Sequence, residues 1–144
     1  MEMITYSDVP NDYEACMFAD CPLAGNCLRQ LAFGVIAEKQ KSLRIVSPKL
    51  CSKEDGCACF RDSKPVVYAR GFINFQNAMV PKQYKTFMRV LEGKFGRNSY
   101  FIYRRGEKLL SPHKQAVVRE VLRKVEGNDK LEFDSYVEAF NWND

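Results

Sequence analysis

Residues 81–127 read PKQYKTFMRVLEGKFGRNSYFIYRRGEKLLSPHKQAVVREVLRKVEG. Tyr84, Phe87, Met88, Leu91 and Phe95 recur at the spacing of one helical face, with Pro81 suited to the first helical position and Gly96 to a stop. Further on, Ser111 is an N-cap and Pro112 a first helical residue. Val117, Val118, Val121, Leu122 and Val125 then form an apolar stripe that Gly127 terminates. Two amphipathic helices are therefore predicted. Between them, Tyr100-Phe101-Ile102-Tyr103 fits a helix, but its aromatic and branched residues followed by Arg105-Gly106-Glu107 also fit a strand and turn.

Downstream, Phe133, Tyr136, Val137 and Phe140 lie at helical spacing, which predicts a short closing helix carrying Phe140 and Trp142 onto the core. Upstream, Leu43 to Val46 and Val66 to Ala69 are short β-favouring runs. Gly71 separates the second from Phe72-Ile73-Asn74-Phe75, and these runs predict a small hairpin or sheet. Leu28, Leu31, Ala32, Val35 and Ile36 predict a helix from about Cys27 to Gln40, with Asn26 as its N-cap. All six cysteines precede Arg61, which marks a Cys-rich N-terminal module at 1–64 and a basic helical module with an acidic tail at 65–144, or one continuous domain. The expected fold class is α+β: a small single domain with a mainly helical C-terminal part, a short antiparallel sheet or hairpin, and a Cys-rich N-terminal part.

At 144 residues the chain can bury a core without disulfides. Its 46% hydrophobic and 28% charged residues are those of a globular protein. No apolar run reaches the roughly 18 residues of a membrane span, and the first residues lack the basic and apolar regions of a leader, so a cytoplasmic location without membrane contact is expected.

The net charge of +4 conceals segregation. Residues 1–60 hold 6 basic against 8 acidic residues, residues 61–125 hold 15 against 4, and residues 126–144 hold 1 against 6. A basic segment rich in aromatics suggests a surface for an anion, with DNA or RNA as partner or, alternatively, an acidic protein. Lys85, Arg89, Arg97, Asn98, Tyr100, Tyr103, Arg104, Arg105 and Lys108 are the candidate nucleic-acid contacts. In a helix-turn-helix arrangement the residues from Arg97 to Arg104 would lie on or beside a recognition helix while Lys85, Arg89 and Lys108 met phosphates; in a hairpin the tyrosines would stack on single-stranded bases. On amphipathic grounds the same aromatics equally fit a core rimmed by solvated arginines.

Cys16, Cys21, Cys27, Cys51, Cys57 and Cys59 are candidate metal ligands, at most four to a single site, for zinc or an iron–sulfur cluster. Their spacing lacks the paired C-x-x-C of a zinc ribbon, so reduced, buried thiols and disulfides stand as alternatives. A nucleophilic cysteine would need a base, and His113 is remote in sequence, at a helix start. No catalytic set stands out, which leans away from an enzyme.

Cys16, Cys21-Pro22-Leu23, Cys27-Leu28-Arg29, Tyr68-Ala69-Arg70-Gly71, Tyr103-Arg104-Arg105-Gly106-Glu107 and Leu110-Ser111-Pro112 together resemble an uncharacterised family of bacterial domains of unknown function, found mainly in gut anaerobes, over nearly the full length. That resemblance carries over no functional residue. Leu91, Gly96 and Ile102 bear a partial likeness to helix-turn-helix DNA-binding domains over about residues 82–125, departing from it at Glu92. The expected function is thus a nucleic-acid-binding accessory or regulatory protein, with a Cys-ligated structural or interaction module as the alternative.

Overall fold

The computed structural model describes residues 4–54 and 56–143. The fold is α+β. Its contacts divide it into one unit of residues up to Lys64 together with Phe140–Asn143, and another of Pro65–Ala139.

The second unit follows from the stretch quoted above. Helix α2, Pro81–Phe95, starts without a side-chain cap from Val80, but Gln83 reaches back so that its Oε1 accepts from the Val80 amide at 3.3 Å. Gly96, at φ 89°, ends it and leads at once into α3, Arg97–Arg105. The segment Tyr100 to Tyr103 is thus helical. Gly106 closes α3 in the left-handed conformation, with its amide bonded to Tyr103 O and that of Glu107 to Ile102 O, a Schellman pair. Helix α4, Pro112–Lys124, has the expected cap: Ser111 Oγ accepts from the Lys114 amide. Its end differs in detail. Glu126 takes the left-handed position at φ 61°, and Gly127 donates to Leu122 O one residue later.

Strand β1, Val66–Arg70, forms where expected, but its partner is β2, Ser135–Ala139, antiparallel with Val66 opposite Ala139 and Arg70 opposite Ser135. Two expectations are corrected here. Phe72 to Phe75 is no hairpin arm: Ile73–Ala78 is a 3-10 helix, because Gly71 turns the chain at φ 77° and Asp134 Oδ2 accepts from the Ile73 amide at 3.0 Å. The predicted closing helix is a strand, since aromatic and branched residues at 136–137 gain a ladder against β1 that outweighs their helical spacing. On its other side β1 meets Leu110 through paired Ala69–Leu110 bonds of 3.0 and 2.8 Å.

The core of this unit joins Phe72 and Phe75 to Phe87 and Leu91 of α2, Tyr100 and Tyr103 of α3, Val118, Val121 and Leu122 of α4, and Phe133. Phe72 lies at its centre, within 5.6–6.4 Å of the rings of Phe75, Phe87, Tyr100 and Phe133. Tilted and edge-on pairs of this kind add about 0.5–1.5 kcal/mol each beyond burial.

The first unit is mostly irregular. Helix α1, Leu28–Ile36, is shorter than the predicted span, and Cys27 holds its N-cap position without a side-chain bond; Asn26 belongs to the 3-10 turn Ala24–Asn26 before it. Leu43 to Val46 makes only an isolated parallel bridge, Ala15 to Ile45. The small core of Tyr13, Ala15, Ala32 and Ile36 is completed by Trp142, edge-on to Tyr13 at 5.0 Å with its carbonyl accepting from the Tyr13 hydroxyl. Arg61 secures the returning segment with two 2.7 Å bonds to Asn141.

Candidate functional site

Helix α2 turns its apolar face inward, which leaves Lys82, Lys85 and Arg89 at i, i+3 and i+7 along its solvent face. They span about 10 Å of helix axis. Lys94 before the Gly96 turn, and Arg97 and Asn98 after it, are also exposed. None of the five cations forms an ion pair among the described residues. Beside this face an open groove of about 430 Å³ is lined by Lys82, Gln83 and Thr86 of α2 and by Lys124 with Val125 and Glu126.

The other candidate contacts divide sharply. Tyr100 and Tyr103 are corrected from surface to core: they are 0% and 4% exposed, Tyr100 shares a 2.9 Å hydrogen bond with the Tyr84 hydroxyl, and the Tyr103 ring packs tilted against Phe95 at 5.3 Å. Burial, and then the bond to Tyr84, raises the Tyr100 pKa far above its ordinary value. Arg104 is half-buried, donating to Gln76 at 3.1 Å, with its Nε enclosed and unpaired. Arg105 is paired with Glu107 at 2.8 Å, and Lys108 lies 5.7 Å from the Tyr103 ring. Lys85, Arg89, Arg97 and Asn98 therefore remain free. Lys82 begins the basic segment and shares the solvent face of α2 with Lys85 and Arg89, although it was not among the candidate contacts.

The helix-turn-helix likeness loses its packing logic in the same place. That motif needs the branched residue after the glycine in the interior. Here Ile102 is only half-buried, and Tyr100 and Tyr103 occupy the interior position.

In the first unit all six cysteines line one small cavity of about 20 Å³, with Phe18, Leu23, Ala24 and Phe60 among its other walls. All are free thiols. Arg29 draws the contributing segments together: its carbonyl accepts from the Cys16 amide at 3.0 Å, and its guanidinium donates to Cys59 O and Glu14 O at 2.8 Å each. Burial first, and then the neighbouring Cys59 and Cys16 thiols, push the Cys51 thiol up to about 12. Cys57 behaves oppositely. Burial would raise it, but backbone donors at Cys59, Ser52 and Phe60 and the Ser52 hydroxyl outweigh that and lower it. Cys21 Sγ accepts from the Leu23 amide at 3.4 Å. Among the described residues no group of three or more His, Cys, Asp or Glu side chains could hold a metal ion. His113 is exposed at the start of α4 and belongs to the other unit.

Fold and sites together define a small α+β protein with a basic helical face, unpaired among the described residues, in one unit and a six-thiol cavity in the other. Among the described residues, no helix is long and apolar enough to cross a membrane. The chain belongs to a family of unknown function, DUF6078, whose profile spans residues 1–142. No curated protein and no solved structure matches it.

Proposed function

We propose that the protein binds nucleic acid through the phosphate backbone, using the solvent face of α2 and the start of α3. The observation that carries this reading is the run Lys82, Lys85, Arg89, Lys94 and Arg97, exposed on consecutive turns with no acidic partner among the described residues. The 10 Å from Lys82 to Arg89 matches about three 3.4 Å steps of one strand. With Tyr100 and Tyr103 in the core, α3 offers neither ring for base stacking, so the contact is to phosphates and carries little sequence preference.

The test is anisotropy titration of a labelled duplex across a salt series. Five phosphate contacts give a slope of log K against log salt of about −4.5, which is roughly a 500-fold loss between 50 and 200 mM salt. Replacing Lys85, Arg89 and Arg97 by alanine reduces the slope to about −1.8. A flat salt response, or a triple variant with the parent's slope, overturns the reading. So does tight binding of an acidic protein with no affinity for the duplex.

A further inference from the structure

We propose that the six-thiol cavity is a redox-sensitive staple: oxidation joins at least one of Cys51, Cys57 and Cys59 to one of Cys16, Cys21 and Cys27, and so fixes segment 47–60 to the rest of its unit. The observation that carries this is which residues of the segment turn inward. Cys51, Lys53, Cys57 and Cys59 are half-buried, whereas every other described residue from 47 to 60 is exposed, Leu50 at 63% and Phe60 at 37% included. The apolar side chains thus face solvent, and thiols hold the inward positions that a core would fill. The described residues of 47–60 form no helix or strand, and their backbone–backbone bonds, Leu50 to Ser47, Cys57 to Glu54 and Phe60 to Cys57, stay inside the segment. Among the described residues its polar ties to the rest are few. Lys53 pairs with Asp20 at 2.9 Å, an exposed ion pair that adds little, and the Cys59 carbonyl accepts from Arg29.

The two groups of thiols already converge. All six line one cavity of about 20 Å³, room for about one water-sized occupant. Arg29 sets the two walls alongside: its guanidinium donates at 2.8 Å to the carbonyls of Cys59 and of Glu14, two residues before Cys16, and its own carbonyl accepts from the Cys16 amide. A disulfide needs Cα atoms within about 7 Å. Any remaining approach falls to a segment whose backbone bonds are local and survive the movement. Cys21, Cys51, Cys57 and Cys59 are partly exposed, so an oxidant reaches thiols on both walls.

The oxidant is a peroxide. A thiolate attacks one peroxide oxygen, the O–O bond breaks, and a sulfenic acid and one water result once protons are taken up. A thiol from the other wall then attacks that sulfur; the S–S bond forms, the S–O bond breaks, and a second water leaves. Two thiols have given up two electrons and two protons, and hydrogen peroxide has become two waters. An added thiol reverses the bond by exchange. The two groups lie 24 to 43 positions apart in the chain, loops long enough for a cross-link to restrict opening of the segment.

The experiment treats the full, reduced chain with hydrogen peroxide. Thiol titration should show the loss of at least two thiols per chain. Trypsin leaves Cys16, Cys21 and Cys27 in one peptide ending at Arg29, Cys51 in 50–53, and Cys57 with Cys59 in 54–61. A non-reduced digest should therefore contain the first peptide linked to one of the other two, and mass spectrometry reads this directly. On the intact protein, cleavage after the exposed Lys49 should slow by about tenfold or more on oxidation and recover with dithiothreitol, because local opening is suppressed. In the combined variant Cys51→Ser, Cys57→Ser, Cys59→Ser that cleavage should be indifferent to peroxide. Since the variant can simply misfold, the linked peptides of the unaltered protein decide. Six thiols surviving the peroxide, bridges confined to 51–59 or joining separate molecules, oxidation running to sulfinic acid, or a bridged protein cut at the reduced rate overturns the proposal. None of these outcomes depends on nucleic-acid binding.

Discussion

Tyr100→Phe separates a core tyrosine from a base-stacking one, and its effect can be worked out before the experiment. The ring is wholly buried between α2 and α3, and the hydroxyl has Tyr84 as partner at 2.9 Å. Near neutral pH the substitution removes one hydrogen bond and leaves the half-buried Tyr84 hydroxyl within reach of water, a cost of about 1 kcal/mol. In a unit of this size that lowers Tm by roughly 4–8 °C. Alkaline pH reverses the comparison. The folded-state pKa of Tyr100 is raised, so its contribution is fully present below the unfolded value of about 10 and is lost as pH climbs above it. Over that range the native chain keeps a proton that the unfolded chain releases, and stability falls by about 1.4 kcal/mol per pH unit from this group. Phenylalanine removes that loss. Urea unfolding followed by circular dichroism at neutral pH and at several values above about pH 10 should show the variant weaker at first and then overtaking the parent. Other groups with raised values, among them Tyr13, Cys51 and Tyr136, are common to both proteins and cancel in the difference. Parallel stability curves for the two proteins through the alkaline range would refute the buried placement of this hydroxyl. At neutral pH, duplex affinity should be unchanged in Tyr100→Phe; a large loss would return the ring to the binding surface.

Ser111→Ala removes the side-chain cap of α4 and should cost about 1 kcal/mol in a urea titration. Gly71→Ala should cost more than that: the backbone is at φ 77°, and the added Cβ would lie 2.7 Å from Asp134 Oδ2, whose bond to the Ile73 amide starts the 3-10 helix. The measurement is again unfolding free energy, and a neutral result would remove Asp134 from its role as anchor. Leu91→Ala, at a fully buried position in the α2 face, should cost about 2–5 kcal/mol, with thermal unfolding as the check.

Capping and periodicity made much of the second unit legible in the sequence. Pro81, Gly96, Ser111 and Pro112 act within one turn of where they stand, so α2 and α4 could be bounded without tertiary information. The misreadings came where distant partners decide. Phe133, Tyr136, Val137 and Phe140 have helical spacing, yet β2 forms because β1 lies about 70 residues earlier in the chain with an edge to pair. Phe72 to Phe75 looks like a strand until Asp134, from the other end of the unit, caps it into a 3-10 helix. Tyr100 and Tyr103 illustrate the same limit at the candidate site: beside arginines they resemble stacking residues, and only the packing of α3 on α2 shows that their rings are inside. The cysteine cavity was visible only as a cluster of types. Its spatial convergence depends on Arg29 bridging Glu14, Cys16 and Cys59, contacts that no local spacing encodes.

Backbone amide shift mapping by NMR tests the proposed nucleic-acid contact on α2 most directly. On titration with a short duplex at low salt, perturbations should concentrate on Lys82 to Asn98, with Lys124 as a neighbour across the groove, while β2 and the residues around the cysteine cavity stay still. Perturbations centred on β2, or none at concentrations where a five-phosphate contact would saturate, would contradict it.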